Sequence, residues 1–277
     1  MQTFFYNGEF FSPEQTLGCG QTFRWHRKEG GWMVFSADKA CLLENAEGQV
    51  RLTLREEDAE YFRNYFDLSR DYAAVIARSK SCGSDAVARA AAFGQGIRIL
   101  NQDPEEVIFT FLLSQNNNIP RIRGMVERLC EALGELRTFA GEEYFTFPRA
   151  LSVAAKGEDF FRTLGFGYRA EFIAETARIL SAESAGEWAT LSTPQLREKL
   201  LILPGVGPKV ADCILLFGYH RTDAFPVDTW LEKVFRDEFG GKEKDRRKIA
   251  EFFCRKFGQD GGYIQQYLFY AKREGAL

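Results

Sequence analysis

Several absences narrow the possibilities for this chain. No two of its six cysteines stand closer than 22 residues apart, so it has no paired-cysteine knuckle and no tight iron–sulfur spacing. Its two histidines, His26 and His220, have no ligand-like spacing, and no zinc site or other metal is expected. Positive charge is not in excess: 36 Lys and Arg stand against 39 Asp and Glu, a net −3, which excludes a global cationic field. No run approaches the roughly 18 apolar residues that span a bilayer. The opening MQTFFYNGEFFSPEQ lacks the basic region and apolar run of a secretory signal. The expectation is a reduced, cytoplasmic protein with no membrane partner. With 45% hydrophobic and 27% charged residues, its 277 residues are enough for a large core and more than one lobe.

The hydrophobic pattern changes along the chain. Segments 21–26, 31–36, 40–44 and 50–54 are short, alternating or β-rich, and broken by Gly, Asn and charges. From Glu56 the period turns helical, with Tyr61, Phe62, Tyr65 and Phe66 on one face. Beyond QGIRILNQDP almost everything reads as helix: 103–111, 119–133, 149–156, 158–164, 169–184, 193–202, 208–219, 228–239, 245–257 and 262–273. The prediction is an α+β chain, with an antiparallel-sheet lobe over 1–100 and a helical lobe over 101–277.

The most informative stretch runs from Leu203 to Trp230, LPGVGPKVADCILLFGYHRTDAFPVDTW. Pro204, Gly205 and Gly207 are turn residues between two helices, and Pro208 suits a first helical position because the N–H it lacks would be unsatisfied there. Such a hairpin exposes backbone N–H groups to a DNA phosphate, which makes Gly205 and Gly207 DNA-binding candidates. Lys209 sits in the first turn, where the helix dipole and partial burial disfavour the ammonium form. By itself it reads as a solvated lysine. In this setting it reads as a nucleophilic, imine-forming amine. Asp228, nineteen residues on, is an obvious N-cap, and an ionised carboxylate there also stabilises positive charge developing on a sugar.

Helical spacing adds further candidates. Cys213 falls on the face of Lys209, and Gln265 and Phe269 share a face of the last helix. Each fits a core, but together they describe a thiol wall, an aromatic plate and an amide for the edge of a flipped base. A one-residue shift nominates Gln266 and Tyr270 instead. The run Asn116-Asn117-Asn118 reads as a capped turn, or as a loop whose asparagine fills the gap left by the base while Arg121 reads the partner. Tyr168 and Arg169, after Gly165-Phe166-Gly167, read as a plain loop, or as a wedge into the base stack and a donor to the orphaned base.

Taken in order, GQTFRW, QDPEEVIFTFLLSQNNNIPRI, GMVERLCEALG, GFGYRA, LPGVGPKVADCILLFG, FPVDTW and GGYIQQYLF resemble the 8-oxoguanine DNA glycosylases of the helix-hairpin-helix superfamily over nearly the full length. The resemblance implies excision of 8-oxoguanine opposite cytosine from duplex DNA, then β-elimination at the abasic site, by a monomer without cofactor. It also implies that Lys209 and Asp228 are catalytic and that Cys213, Phe269 and Gln265 hold the base. Gly20 would offer its carbonyl to the N7–H that distinguishes the lesion, and Asn116, Arg121, Tyr168 and Arg169 would bind around the gap. Two residues depart from the pattern: Trp230 stands where eukaryotic members carry histidine, and Pro120 replaces a small residue. Among relatives, alkylated-base glycosylases work without a lysine nucleophile, so Lys209 argues against them. The pairing of Lys209 with Asp228 argues against an idle helix-hairpin-helix scaffold.

Overall fold

The computed structural model describes residues 1–277. Five antiparallel strands, β1 (Gln2–Asn7), β2 (Trp25–Lys28), β3 (Gly31–Ser36), β4 (Lys39–Ala46) and β5 (Gln49–Leu54), form a sheet of order β1-β5-β4-β3-β2. The β4–β5 connection is the two-residue turn Glu47-Gly48, both with positive φ, which matches the twist of the strands it joins. One sheet face, carrying Trp32, Val34, Cys41, Leu43 and Leu52, packs on Phe62, Tyr65 and Phe66 at α2 (Ala59–Tyr65), with Phe11 and Leu17 of the segment through α1 (Pro13–Gly18).

Strand β3 is buried along its whole length, so its second face also needs cover. That cover is a hairpin the sequence did not announce, β6 (Leu136–Phe139) and β7 (Glu142–Phe145), which lays Phe139 and Tyr144 against Met33, Phe35 and Ala40. The expected strand at 21–26 begins only at Trp25, because Gln21 and Arg24 serve as anchors instead. Arg24 is buried, bonds the carbonyls of Ala37 and Phe145, and pairs with buried Glu106 at 3.4 Å. Edge strand β1 was also missed. It is half exposed and lacks the apolar alternation that marks a strand.

The rest is helical: α3 (Tyr72–Lys80), α4 (Asp85–Phe93), α5 (Pro104–Ser114), α6 (Ile119–Leu133), α7 (Ala150–Ala154), α8 (Glu158–Thr163), α9 (Arg169–Ala182), α10 (Thr193–Leu201), α11 (Pro208–Gly218), α12 (Thr229–Phe239), α13 (Arg246–Phe257) and α14 (Gly261–Arg273). Serine, aspartate or asparagine side chains cap α3, α4, α5, α6, α12 and α13 at their N-termini. The core does not divide at residue 100. Helices α3 and α4 bury Val75, Ile76, Val87 and Ala90 in the large helical core, where α4 packs on α14 and Tyr72 meets Tyr263 edge to face at 5.7 Å.

Candidate nucleic-acid interface and active site

Helix α10, the turn Ile202–Gly207 and α11 form the helix-hairpin-helix. The two helices are pinned by Arg197 of α10, which bonds buried Asp212 of α11. Burial, opposed by Arg197 and then Lys209, pushes the Asp212 carboxyl up to about 6. Its folded pKa is therefore raised above the unfolded value of about 3.9, and the native state binds more protons between those two values. The stability that protonated Asp212 confers is present at about pH 4 and is lost as pH rises through about 6. Wild type is expected to lose a few kcal/mol relative to Asp212→Asn between pH 4 and pH 7. Paired denaturant titrations at the two pH values measure this, and a gap that stays flat or reverses would remove the assignment.

Gly205 and Gly207 differ in what fixes them. Gly205 has φ +80°, and a Cβ there would stand 2.4–2.9 Å from the Phe172 ring. Gly205→Ala is therefore expected to cost about 2–4 kcal/mol from left-handed backbone strain and overpacking. A Cβ on Gly207 meets nothing within 4 Å. Gly207→Ala should leave the melting temperature nearly unchanged but weaken duplex binding, because a methyl then stands where a phosphate must approach the backbone. Thermal melts and a duplex titration test both; equal destabilisation by the two variants would contradict the distinction. The amides of Gly205 and Gly207 have no partner within the chain, so both donors are free for an anion.

Chain segments far apart in sequence meet at one cavity of about 70 Å³. Lys209 and Cys213 of α11, Asp228 at the start of α12, Gln265 and Phe269 of α14, and Gly20 all line it, with Cys19, Phe111, Phe217, Pro226 and Gln266 completing the wall. Phe217 extends the i, i+4 series from Lys209 and Cys213, so its spacing was readable; Phe111 comes from α5, and nothing local marked it. Phe111 stacks on Phe217 at 5.7 Å, and Lys209 Nζ lies 5.6 Å from the Phe111 ring centre. Lys209 makes no ion pair. Burial pushes the Cys213 thiol up to about 11, so at neutral pH it is an uncharged wall. Asp228 Oδ1 accepts the amides of Trp230 at 2.9 Å and Leu231 at 3.0 Å. The side chain of Trp230, where the resemblance led one to look for histidine, lies under Lys233, whose Nζ is 4.7 Å from its ring.

On α14, Gln265, Gln266 and Phe269 all line the cavity, whereas Tyr270 turns away and packs on Phe93 at 5.4 Å. Gln265 Nε2 donates to the Pro226 carbonyl at 3.1 Å, and its buried Oε1 has no partner. That leaves an acceptor for an N–H on the edge of a base. Gln266 instead donates to the Cys19 carbonyl at 2.7 Å.

The asparagine run divides its labour. Asn118 caps α6 by accepting the Arg121 amide, and Pro120 fits the first turn of that helix. Asn117 bonds the Leu113 carbonyl. Asn116 stands exposed with φ +46°, and Arg121 is exposed and unpaired. Tyr168 is 47% exposed. Arg169, expected at an orphaned base, is buried. It stacks on Tyr168 at 4.4 Å and donates to the carbonyls of Gln115 and Asn116, so in this state it braces the Asn116 turn. This patch adjoins the cavity, since Ile119 at the head of α6 reaches within 4 Å of where a Gly20 Cβ would be. A larger cavity of about 290 Å³, between β2, β3, α6 and the β6–β7 hairpin, contains none of these candidates.

Two sequence-family models match adjoining parts of the chain, from residue 4 to residue 259. The 8-oxoguanine DNA glycosylase N-terminal domain matches residues 4–108, and the HhH-GPD superfamily of base excision DNA repair proteins matches 109–259. The chain belongs to the 8-oxoguanine DNA glycosylase family. A probable N-glycosylase/DNA lyase of Methanothermobacter thermautotrophicus is 33% identical to this family member, over 96% of this chain and 95% of its own. The N-glycosylase/DNA lyase OGG1 of Arabidopsis thaliana is 39% identical over 64% of this chain and 52% of its own. Among solved structures, the 8-oxoguanine glycosylase/lyase of Clostridium acetobutylicum, bound to duplex DNA with cytosine opposite 8-oxoguanine, superposes with a TM-score of 0.91. It is 32% identical, covering 97% of this chain and 94% of that one. As elsewhere in this glycosylase, no helix is long and apolar enough to cross a membrane.

Proposed function

We propose that this protein excises 8-oxoguanine from duplex DNA, with cytosine opposite, and then cuts the strand by β-elimination. The observation that carries the reading is the convergence of Lys209, Asp228, Cys213, Gln265, Phe269 and Gly20 on one cavity in a chain of this family. The hairpin amides of Gly205 and Gly207 hold the phosphate backbone while the damaged nucleotide swings out. Asn116 and Tyr168 occupy the gap, Arg121 donates to the partner base, and Arg169 supports the turn that presents Asn116.

In the pocket the base stacks between Cys213 and Phe269, and Gln265 Oε1 accepts from its pairing edge. The Gly20 carbonyl accepts N7–H of the lesion and repels the N7 lone pair of guanine. Lys209 attacks C1′ of the sugar as its deprotonated amine, while the Asp228 carboxylate stabilises the cationic sugar. The C1′–N9 bonding pair leaves with the base; the C1′–O4′ bond of the lysine–sugar adduct then breaks with its pair on O4′, which takes up a proton as the adduct nitrogen gives one up, and the imine forms. Loss of the C2′ proton then expels the 3′ phosphate. The walls of the site come from one chain, so the enzyme works as a monomer.

Single-turnover excision from duplexes with 8-oxoguanine opposite each of the four bases tests the substrate. The expected result is release fastest opposite cytosine and at least a hundredfold slower for undamaged guanine. Equal rates on damaged and undamaged guanine would overturn the reading.

A further inference from the structure

Four successive carbonyls near the pocket are held very unequally. That of Gly18 accepts Arg273 Nη2 at 2.7 Å, and that of Cys19 accepts Gln266 Nε2 at 2.7 Å. That of Gln21 accepts Gln102 Nε2 at 2.8 Å. Only the Gly20 carbonyl has no partner in the protein, and Gly20 lines the cavity with φ +83°. The Gln21 side chain is itself locked, donating to the Thr16 and Arg98 carbonyls and accepting the Leu100 amide.

Gln266 and Arg273 lie seven residues apart on α14, nearly two full turns, and so share a face. Both reach out of α14 to the same three-residue turn. Arg273 does so at a cost: its guanidinium lies 5.5 Å from the Phe269 and Tyr270 rings, with Nη1 buried and without a hydrogen-bond partner.

The turn needs such holding because glycine is permissive. The peptide between Gly20 and Gln21 can flip if its neighbours are loose. A flip would exchange the Gly20 carbonyl for the Gln21 amide, which has no partner in the chain. The site would then present a donor where it had presented an acceptor. A donor welcomes N7 of undamaged guanine and rejects N7–H of the lesion. Selectivity therefore depends on what stops the flip.

We infer that Gln266 and Arg273 are positioning residues for lesion selectivity: by holding the Cys19 and Gly18 carbonyls they lock the Gly20 peptide with its carbonyl as the free acceptor. This rests on the substrate reading above. Neither residue touches the reacting atoms, and strand cutting at a site that has already lost its base needs Lys209 but no selected base.

Arg273→Met, Arg273→Lys and Gln266→Leu are compared with wild type in single-turnover assays. The substrates are duplexes with 8-oxoguanine opposite cytosine, guanine opposite cytosine, and a preformed abasic site opposite cytosine. Arg273→Met and Gln266→Leu should each narrow the preference for 8-oxoguanine over guanine by about tenfold or more. Cutting of the abasic duplex by Arg273→Met, which lies outside the cavity wall, should stay within about threefold of wild type, and Arg273→Lys, which keeps a donor, should retain most of the preference. If Gln266→Leu does not fold, Arg273→Met and its lysine rescue carry the test from the more exposed end of α14. Parallel loss on the lesion and abasic duplexes in Arg273→Met would mean general structural support and overturn the inference. So would an unchanged preference in a folded variant. A wild type that cuts the abasic duplex but shows no preference for 8-oxoguanine overturns the substrate reading and this inference with it; a selective wild type with unaffected variants overturns the inference alone.

Discussion

Lys209→Gln is expected to lose all borohydride-trapped complex with a duplex carrying 8-oxoguanine opposite cytosine, and to slow base release by about 10³-fold or more. Glutamine has no amine to form an imine, so the trapped species must vanish completely. The rate effect follows from removing the nucleophile of a covalent mechanism, and a 10³-fold loss corresponds to about 4 kcal/mol of activation free energy. The structure predicts little collateral damage. Lys209 makes no ion pair and is only partly buried beside Phe111, so stability should change by no more than about 1 kcal/mol. Duplex affinity should also persist, since the hairpin amides of Gly205 and Gly207 are untouched. A trapped complex that survives in Lys209→Gln would assign the imine to another amine. Wild-type release with no trapped complex would favour water activated beside Asp228.

The second large effect is at Asp228, where two roles can be separated by choice of substitution. As an N-cap its Oδ1 accepts two amides, and asparagine caps about as well. As an electrostatic group it supplies a negative charge that asparagine lacks. Asp228→Asn should therefore melt close to wild type and release 8-oxoguanine about 10²–10³ times more slowly. Asp228→Ala should show the same kinetic defect and lose a further 0.5–2 kcal/mol, roughly, of stability. Melting curves and single-turnover rates on the three proteins make the comparison. If Asp228→Asn retained full activity, capping would be the whole role of the residue.

Much of this site was legible because helix geometry is local. The spacing of Lys209, Cys213 and Phe217 puts them on one face of any α-helix, and the same holds for Gln265 and Phe269. Cap residues and prolines marked the helix starts to within a residue or two, as at Pro104, Ile119 and Pro208. What stayed hidden depended on partners distant in sequence. Gln265 and Gln266 are chemically identical neighbours that both line the cavity, and only the packing of α14 aimed the first at the Pro226 carbonyl and the second at that of Cys19. The bracing of the Asn116 turn by Arg169 was not readable because its carbonyl acceptors lie more than fifty residues away in the chain.

The sequence by itself determined the helices from α5 onward, the hairpin that joins α10 to α11 and the order of the motifs, since each depends on dihedral preference, periodicity or capping within a few residues. Only the tertiary structure decided that α3 and α4 join the helical core, that the β6–β7 hairpin covers the second face of β3, and that one carbonyl among four near Gly20 is left free. The physical reason is that these outcomes are settled by burial and hydrogen-bond satisfaction summed over the whole chain, and no local window contains both partners.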